Sequence, residues 1–457
     1  MSWALTVLYH ILYPSINLGT ILQNGAPEMV ARKLSKMIAE HPTLLRSKGG
    51  HSRPLLVVLD RNADLITPFQ HTSTYQALID DVLTHKANRV EFVVTQDANS
   101  KRPKKIPKKF DLDPDQDIFY SAHKFQPFPE AIESNGVELQ EVTAREQEIR
   151  SKAVGGGNSA AVIQPDPMAS AANDLATAVD SLPALLDQKK QLEMHTSILQ
   201  AVMNEVASRD VPQFYELESS LATGSYKNDQ GKAKSDVLAL AGDPSKGNVE
   251  DKLRLLMVYC LATTAKTADI DEIATAVQQA VEGMEGVDRA SRDMIQVGIK
   301  ATQYIKQLRS MHMLPSMAEM SLSSAEESSA GAGLSSFMNQ ATGLLAKATD
   351  RVTAMLGKIH KHHATRVVEN LCEMKPGTED EDFLYLDPKF KGEVDYHKLA
   401  TMTRAPVREV IAFTIGGGCY AEYQNLQMVA NERRTISYGS TELVNAGQFL
   451  AQLGQLG

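Results

Sequence analysis

Residues 55–59, Leu-Leu-Val-Val-Leu, form an unbroken apolar run of strand length. A strand with no polar alternate has no face to give to water. It must be covered on both sides, which is the pattern of a parallel sheet packed between helices. The residues that follow, Asp60 to Pro68, are polar, contain Asn and Pro, and read as a turn at the strand's carboxyl end. Next, Tyr75, Leu78, Ile79, Val82 and Leu83 fall on one face of a helix over 72–85. A buried strand, a charged loop and a helix commit this end of the chain to an α/β fold.

The same pattern returns at the other end. Val407–Ile415 and Arg434–Tyr438 read as strands. Between the ends the spacing is helical. An amphipathic helix is expected at 27–40, through Met29, Val30, Leu34, Met37 and Ile38. Residues 90–94 alternate weakly and suit a second strand. The basic stretch Lys101–Phe110 holds two prolines and reads as a solvated loop. Further helices are expected over 129–152, 174–208 (a pair hinged at Pro183), 249–265, 269–283, 288–312 and 344–372. The Gly- and Ser-rich 153–172 reads as a flexible loop. The expected fold is an α/β parallel-sheet domain, discontinuous in sequence, with a large inserted all-α domain. Its parts would be 1–127, 128–398 and 399–457.

The 457 residues are 43% hydrophobic and 23% charged, a globular composition too long for one core. A formal charge of −9 gives no global field for nucleic acid, so none is expected as a partner. The three cysteines, Cys260, Cys372 and Cys419, have no metal-site spacing and suit small buried hydrophobes. No run of about 18 apolar residues suggests a membrane span. The apolar stretch Trp3–Tyr13 is short, lacks a basic leader, and reads as a buried element rather than a signal peptide.

Few residues are arranged for bond-making chemistry. Asp60 and Asp64 lie beyond a strand end, where α/β proteins often bind ligands. A phosphoesterase would use them as metal ligands or as nucleophile and helper; equally, they can cap the turn or pair with Arg61. Gly416-Gly-Gly418 follows a strand but has no phosphate-loop lysine. His360 and His363, three apart, have no neighbouring ligand and read as surface polarity. Ser440 or Thr441 is the expected N-cap of a helix holding Leu443, Val444, Phe449 and Leu450. No metal or other cofactor is expected. Phe337, Ala341, Leu344, Leu345, Ala348, Val352, Met355, Leu356 and Ile359 form a sustained helical stripe. Its opposite face is mostly Ser, Thr, Asn, Gln and Gly, a composition suited to sensing lipid-packing defects. It suits equally a helix packed on the protein's own core.

Several stretches together resemble the SM family of Sec/Munc-type, syntaxin-binding proteins. They are Leu59-Asp-Arg-Asn-Ala-Asp-Leu-Ile-Thr-Pro68 with Thr74-Tyr-Gln-Ala-Leu78 and Asp81-Val-Leu83, then Val410–Leu426 and Ile436–Leu443. Ser181–Leu186 and Tyr304–Gln307 fit its Sly-type, ER–Golgi branch. The resemblance runs from about Pro27 to Gly457. It implies the arch-like SM architecture, without most or all of the first domain that normally precedes a segment like Gly25–Leu34. It also implies a non-enzymatic chaperone that templates SNARE assembly through its helical domain. Partners would be a syntaxin-type Qa-SNARE, an R-SNARE and SNARE complexes, bound by a cytoplasmic monomer peripherally associated with ER/Golgi membranes. Ile299, Tyr304 and Leu308 would be SNARE-contacting or packing positions, at least one of them in the core. A lid at 321–343 would cover that surface. Phe337, Leu344, Leu345, Val352, Met355, Leu356 and Ile359 would line a lid or membrane-contacting helix at the vesicle surface. The other function classes open to the residues are a phosphoesterase-like enzyme using Asp60 and Asp64, and a passive membrane tether.

Overall fold

The computed structural model describes residues 17–19, 25–40, 54–96, 104–155, 167–284, 286–314, 360–373, 383–386 and 407–457. Along the chain these form β1 (Asn17–Gly19), α1 (Ala26–Glu40), β2 (Leu55–Asp60), α2 (Tyr75–Val82), β3 (Thr84–Lys86), β4 (Arg89–Gln96) and β5 (Lys104–Asp111). Helices α3 (Ile118–His123), α4 (Phe128–Gly155), α5 (Pro167–Ser208), α6 (Val211–Ala222), α7 (Gln230–Ala241), α8 (Val249–Ala262), α9 (Thr267–Glu282) and α10 (Arg289–Ser310) follow. The chain closes with α11 (His363–Glu373), β6 (Tyr385–Leu386), β7 (Glu409–Ile415), α12 (Tyr420–Gln427), β8 (Thr435–Ser440) and α13 (Ala446–Leu456).

Contacts group the chain by a different cut from the expected one at 127 and 398. One compact unit gathers the described residues of Met1–Thr72, Arg209–Ser329 and Lys358–Gly457; the other gathers those of Ser73–Ser208. The first holds a sheet of order β6-β1-β2-β7-β8, parallel except at β6. Strand β2 pairs with β7 from Leu55↔Val410 to Asp60↔Ile415, so the sheet is assembled from both ends of the sequence as expected. Leu55, Val57 and Leu59 pack with Val367, Val368 and Leu371 of α11 and Leu426 of α12. The alternate residues Leu56 and Val58 pack with Ala31, Leu34 and Ile38 of α1. Both faces are covered, which is why β2 tolerates no polar alternate.

The same unit contains a helical core around α8. From Leu255 to Cys260 every side chain of α8 is essentially inaccessible, so this helix is buried all round. Phe214 of α6, Val237 of α7, Ile273 of α9, Ile305 of α10 and Phe449 of α13 join the same cluster. Helices α6 and α7 were not among the expected elements. A Cβ on Gly298 would lie 2.4 Å from Leu253 Cδ2, and one on Gly454 would lie 2.8 Å from Val297 Cγ1 and 2.9 Å from its carbonyl oxygen. Helices α10 and α13 therefore meet where one of them has no side chain.

The second unit holds an antiparallel sheet of order β3-β4-β5 and the helix pair α4–α5. Two expectations are corrected here. The basic stretch Lys104–Asp111 is a strand, paired with β4 along its whole length. Among the described residues it is an edge strand, where lysines and a proline without an N–H are compatible with pairing. Pro183 lies inside the single helix α5 rather than at a hinge between two helices. Among the described residues, no helix is long and apolar enough to cross a membrane.

Replacing Gly454 by Ala tests the close approach of α10 and α13. Helix propensity alone would favour Ala by about 1 kcal/mol. Overpacking against Val297 should reverse the sign and cost about 1–3 kcal/mol. A lowered thermal midpoint is the expected result; a raised one would show that the helices have room to separate.

Candidate functional site

The loop after β2 is built by its own polar residues. Asp60 accepts a hydrogen bond from the Asn62 N–H at 2.9 Å and caps the turn. Asp64 Oδ1 accepts from the N–H groups of Ile66 and Thr67, each at 3.0 Å, and the Thr67 hydroxyl donates to Asp64 Oδ2. Arg61 is buried. Its Nη2 lies 2.7 Å from Glu422, its Nε donates to the Asp64 carbonyl at 2.8 Å, and its Nη1 donates to the Gly417 carbonyl at 3.3 Å. Burial opposes the ionisation of Asp64, but Arg61, His363 and Thr67 outweigh it and hold the carboxyl below its usual range. The pair that a phosphoesterase would use is thus committed to capping and to Arg61.

Three expectations around this loop are resolved by it. Gly416 has φ +102°, and a Cβ there would lie 2.8 Å from Arg61 Cβ, so glycine is required for the arginine to enter. The N–H groups of Gly416 and Gly417 donate to Thr441 Oγ1 at 3.0 and 3.2 Å, which fills the place a phosphate would take. Thr441 is therefore not a helix cap: Asn445 caps α13, with Gln448 completing a capping box. His362 is half-buried, with its Nδ1 3.4 Å from the Thr67 hydroxyl and its N–H donating to Asn425 Oδ1. Burial lowers its pKa. The His360–His363 run is thus part of this polar cluster rather than plain surface polarity. Among the described residues no group of His, Cys, Asp and Glu is placed to hold a metal ion.

A second buried cluster lies at His71. Its N–H and Nδ1 meet the Glu218 carboxylate at 2.8 and 3.0 Å, and its Nε2 lies 3.0 Å from Asp251 Oδ1. Both carboxylates are fully buried. Burial and the nearby Arg254 oppose charging of the imidazole, but Glu218 and Asp251 outweigh them and push its pKa up to about 9. Burial likewise opposes ionisation of Asp251, yet Arg209 and His71 hold its carboxyl far below the usual range. The spacing of these residues in sequence gave no signal of the cluster.

The expected SNARE-contacting positions lie on α10. Leu308 is 8% exposed and belongs to the helical core, whereas Ile299 and Tyr304 are half-buried at its margin. The outward side of α10 carries Arg292, Gln296, Lys300, Gln303 and Gln307. Residues 321–343, and Phe337, Leu344, Leu345, Val352, Met355, Leu356 and Ile359, lie outside the described residues.

A longer helical surface, not anticipated as a site, is formed by α4 and α5. They run antiparallel: Thr196 Oγ1 donates to Asn135 Oδ1 at 2.7 Å, and Lys189 Nζ lies 2.7 Å from Glu146. At about 1.5 Å per residue, 28 and 42 residues span roughly 42 and 63 Å. The outer side displays Glu141, Arg145, Glu148, Asp187, Lys190 and Glu193, with Leu186 at 39% exposure. Such a face carries mixed charge and one exposed large apolar side chain among its described residues.

A largely parallel sheet assembled from remote parts of the sequence, with a helical core in the same unit and a long helix pair in the other, describes a fold that comparison with known proteins makes specific. The chain belongs to the Sec1 family, whose model matches residues 5–452. It is 34% identical to the human Sec1 family domain-containing protein 1 over 94% of this chain and 66% of that protein. It is 32% identical to the Drosophila melanogaster protein sly1 homolog over 95% of this chain and 67% of that one. These relatives place it in the Sly-type branch. The chain thus spans 66% of the human relative's length. Among solved structures, it is similar to Sly1p in complex with an N-terminal peptide of Sed5p (TM-score 0.60, 22% identity, 99% of this chain and 66% of that one). It is also similar to the SM protein Vps45 in complex with the Qa SNARE Tlg2 (TM-score 0.62, 17% identity, 99% and 68%). At these identities the two structures speak for the fold.

The raised pKa of His71 has a pH signature. Its contribution to stability is complete below the unfolded value of about 6.5 and is lost as pH rises through about 9. The thermal midpoint of the wild type should exceed that of His71→Gln by an amount that shrinks steadily across this window. A gap independent of pH would contradict an imidazolium held between two carboxylates.

Proposed function

We propose that this chain is a non-enzymatic SNARE-binding chaperone of ER–Golgi vesicle transport, acting on a syntaxin-type Qa-SNARE and an R-SNARE. The observation that carries the reading is the Sec1-family match across residues 5–452. The similarity to Vps45, solved with the Qa SNARE Tlg2, and to Sly1p, solved with an N-terminal peptide of Sed5p, supports the choice of partner. SNARE motifs are disordered alone, and aligning them before they zip costs chain entropy. A preformed helical surface lowers that cost. The α4–α5 hairpin supplies the longest such surface among the described residues, and Ile299 and Tyr304 on α10 supply a second. Residues 321–343 would cover the binding surface at rest, and the stripe from Phe337 to Ile359 would meet the vesicle membrane. The site of action would be the cytoplasmic face of ER and Golgi membranes.

A pull-down with an ER–Golgi syntaxin and a vesicle R-SNARE, each lacking its N-terminal peptide, tests the reading. Capture of the SNARE motifs is expected; a folded chain that captures neither overturns it. Leu186→Asp should weaken capture about tenfold, the loss of one apolar contact point. Its thermal midpoint should stay unchanged, because Leu186 is exposed. Deletion of 321–343 should raise SNARE affinity, and an unchanged or weaker affinity in the folded variant would sink the idea of a cover.

A further inference from the structure

The second unit leaves the first at Thr72 and rejoins it at Arg209. Both crossings are tied, on the side of the first unit, to one carboxylate. Asp251 Oδ1 lies 3.0 Å from His71 Nε2, and Asp251 Oδ2 accepts from Arg209 Nε at 3.0 Å. Arg209 Nη2 also donates to this carboxylate, and so does the Asn248 N–H at 2.8 Å. The two side chains reach it from 180 and 42 residues away in sequence. Asp251 itself is fixed: it is the third residue of α8, locked in a reciprocal capping box with Asn248, on the helix that forms the centre of the core.

Each crossing has further ties close by. On the outgoing side, the Phe69 carbonyl accepts from Arg254 Nε at 2.8 Å, and His71 is held by Glu218 of α6. On the returning side, the Gly247 N–H donates to the Arg209 carbonyl at 3.0 Å, and Asp210 pairs with Lys246. Asp210 has φ +53°, a left-handed conformation uncommon outside glycine but one that aspartate tolerates. Buried ion pairs contribute little net stability, because desolvation offsets their attraction. Their effect here is geometric: one rigid helix start defines where both chain segments leave it.

We propose that Asp251 is a positioning residue for partner binding, pinning the two points from which Ser73–Ser208, with its α4–α5 hairpin, departs. The proposal rests on that hairpin as the SNARE-binding surface. His71 and Arg209 face Asp251, with Glu218 on the other side of His71 and Glu250 beside Arg254, so removing the Asp251 charge takes away the one carboxylate that both crossings share. In Asp251→Asn, amide exchange at residues 69–74 and 208–211 should quicken by about tenfold or more, equivalent to about 1.4 kcal/mol of lost local protection. Exchange in the 253–260 core of α8 should be unchanged, and affinity for the SNARE motifs should fall several-fold. His71→Gln and Arg209→Met, each releasing one crossing, should quicken exchange only at their own crossing. They keep the test open if Asp251→Asn fails to fold.

A uniform loss of protection that includes 253–260 would mark Asp251 as merely structural and overturn the proposal. Local loosening with SNARE affinity unchanged would also overturn it, while leaving the functional reading intact. A wild type that captures no SNARE motif would instead overturn the functional reading, and the positioning role with it.

Discussion

Everything in the first unit depends on the pairing of Leu55–Asp60 with Glu409–Ile415. These strands are neighbours in space, yet the whole helical middle of the sequence lies between them. Strand β2 cannot be satisfied locally, because its only long ladder partner on one side arrives at the other end of the chain. Such non-local pairing meets a large loop-closure cost before any contact rewards it, and it makes folding slow. The buried bond between Arg61 and Glu422 fastens the same junction at the strand ends. Removing either partner would strand a buried charge, a loss of about 3–5 kcal/mol. The sheet and this ion pair therefore hold together two sequence regions that no short-range interaction joins.

The polar residues that most invite a catalytic reading share that task. Arg61, Asp64 and Glu422 join the loop after β2 to α12. His71 joins the outgoing crossing to α6 and α8. In the second unit, His195 of α5 bonds the Tyr75 hydroxyl at 2.8 Å and Asp117 at 2.7 Å, and all three side chains are buried. Asp117 meanwhile caps α3 through the Tyr120 N–H. A hydroxyl, an imidazole and a carboxylate in a row look like a relay, but here they link a helix start, a loop and a long helix inside a solid aromatic packing of Phe119 and Tyr120. In each case charge is spent on fixing geometry between remote segments.

How much of this was legible depended on whether the determining contacts were local. The strand at 55–59, and the stretch 410–413 within β7, announce themselves because burial on both faces forces a continuous apolar run. Helices α8 and α10 announce themselves by length and period. Strand β5 does not, since its stability comes from register with β4 and its lysines and proline mimic a loop. Pro183 suggested a break that tertiary packing overrides along α5. The capping role passed from Thr441 to Asn445 because the glycine loop, distant in sequence, claims the threonine hydroxyl. Of Ile299, Tyr304 and Leu308, expected to include at least one core residue, Leu308 is the one buried in the core; period alone cannot tell which residues of an amphipathic helix those are. The clamp was invisible: His71, Arg209 and Asp251 carry no motif, only a meeting point.

That meeting point bears on how segments remote in sequence are held in one geometry. The chain segments at His71 and Arg209 both meet the start of α8, and both must be held there. Hydrophobic packing alone would hold them strongly but permit sliding, because dispersion contacts are non-directional. A carboxylate that takes donors from two chain segments and from its own helix start fixes direction as well as distance. The desolvation penalty of burying those charges is then the cost of fixing the direction of both segments at one helix start.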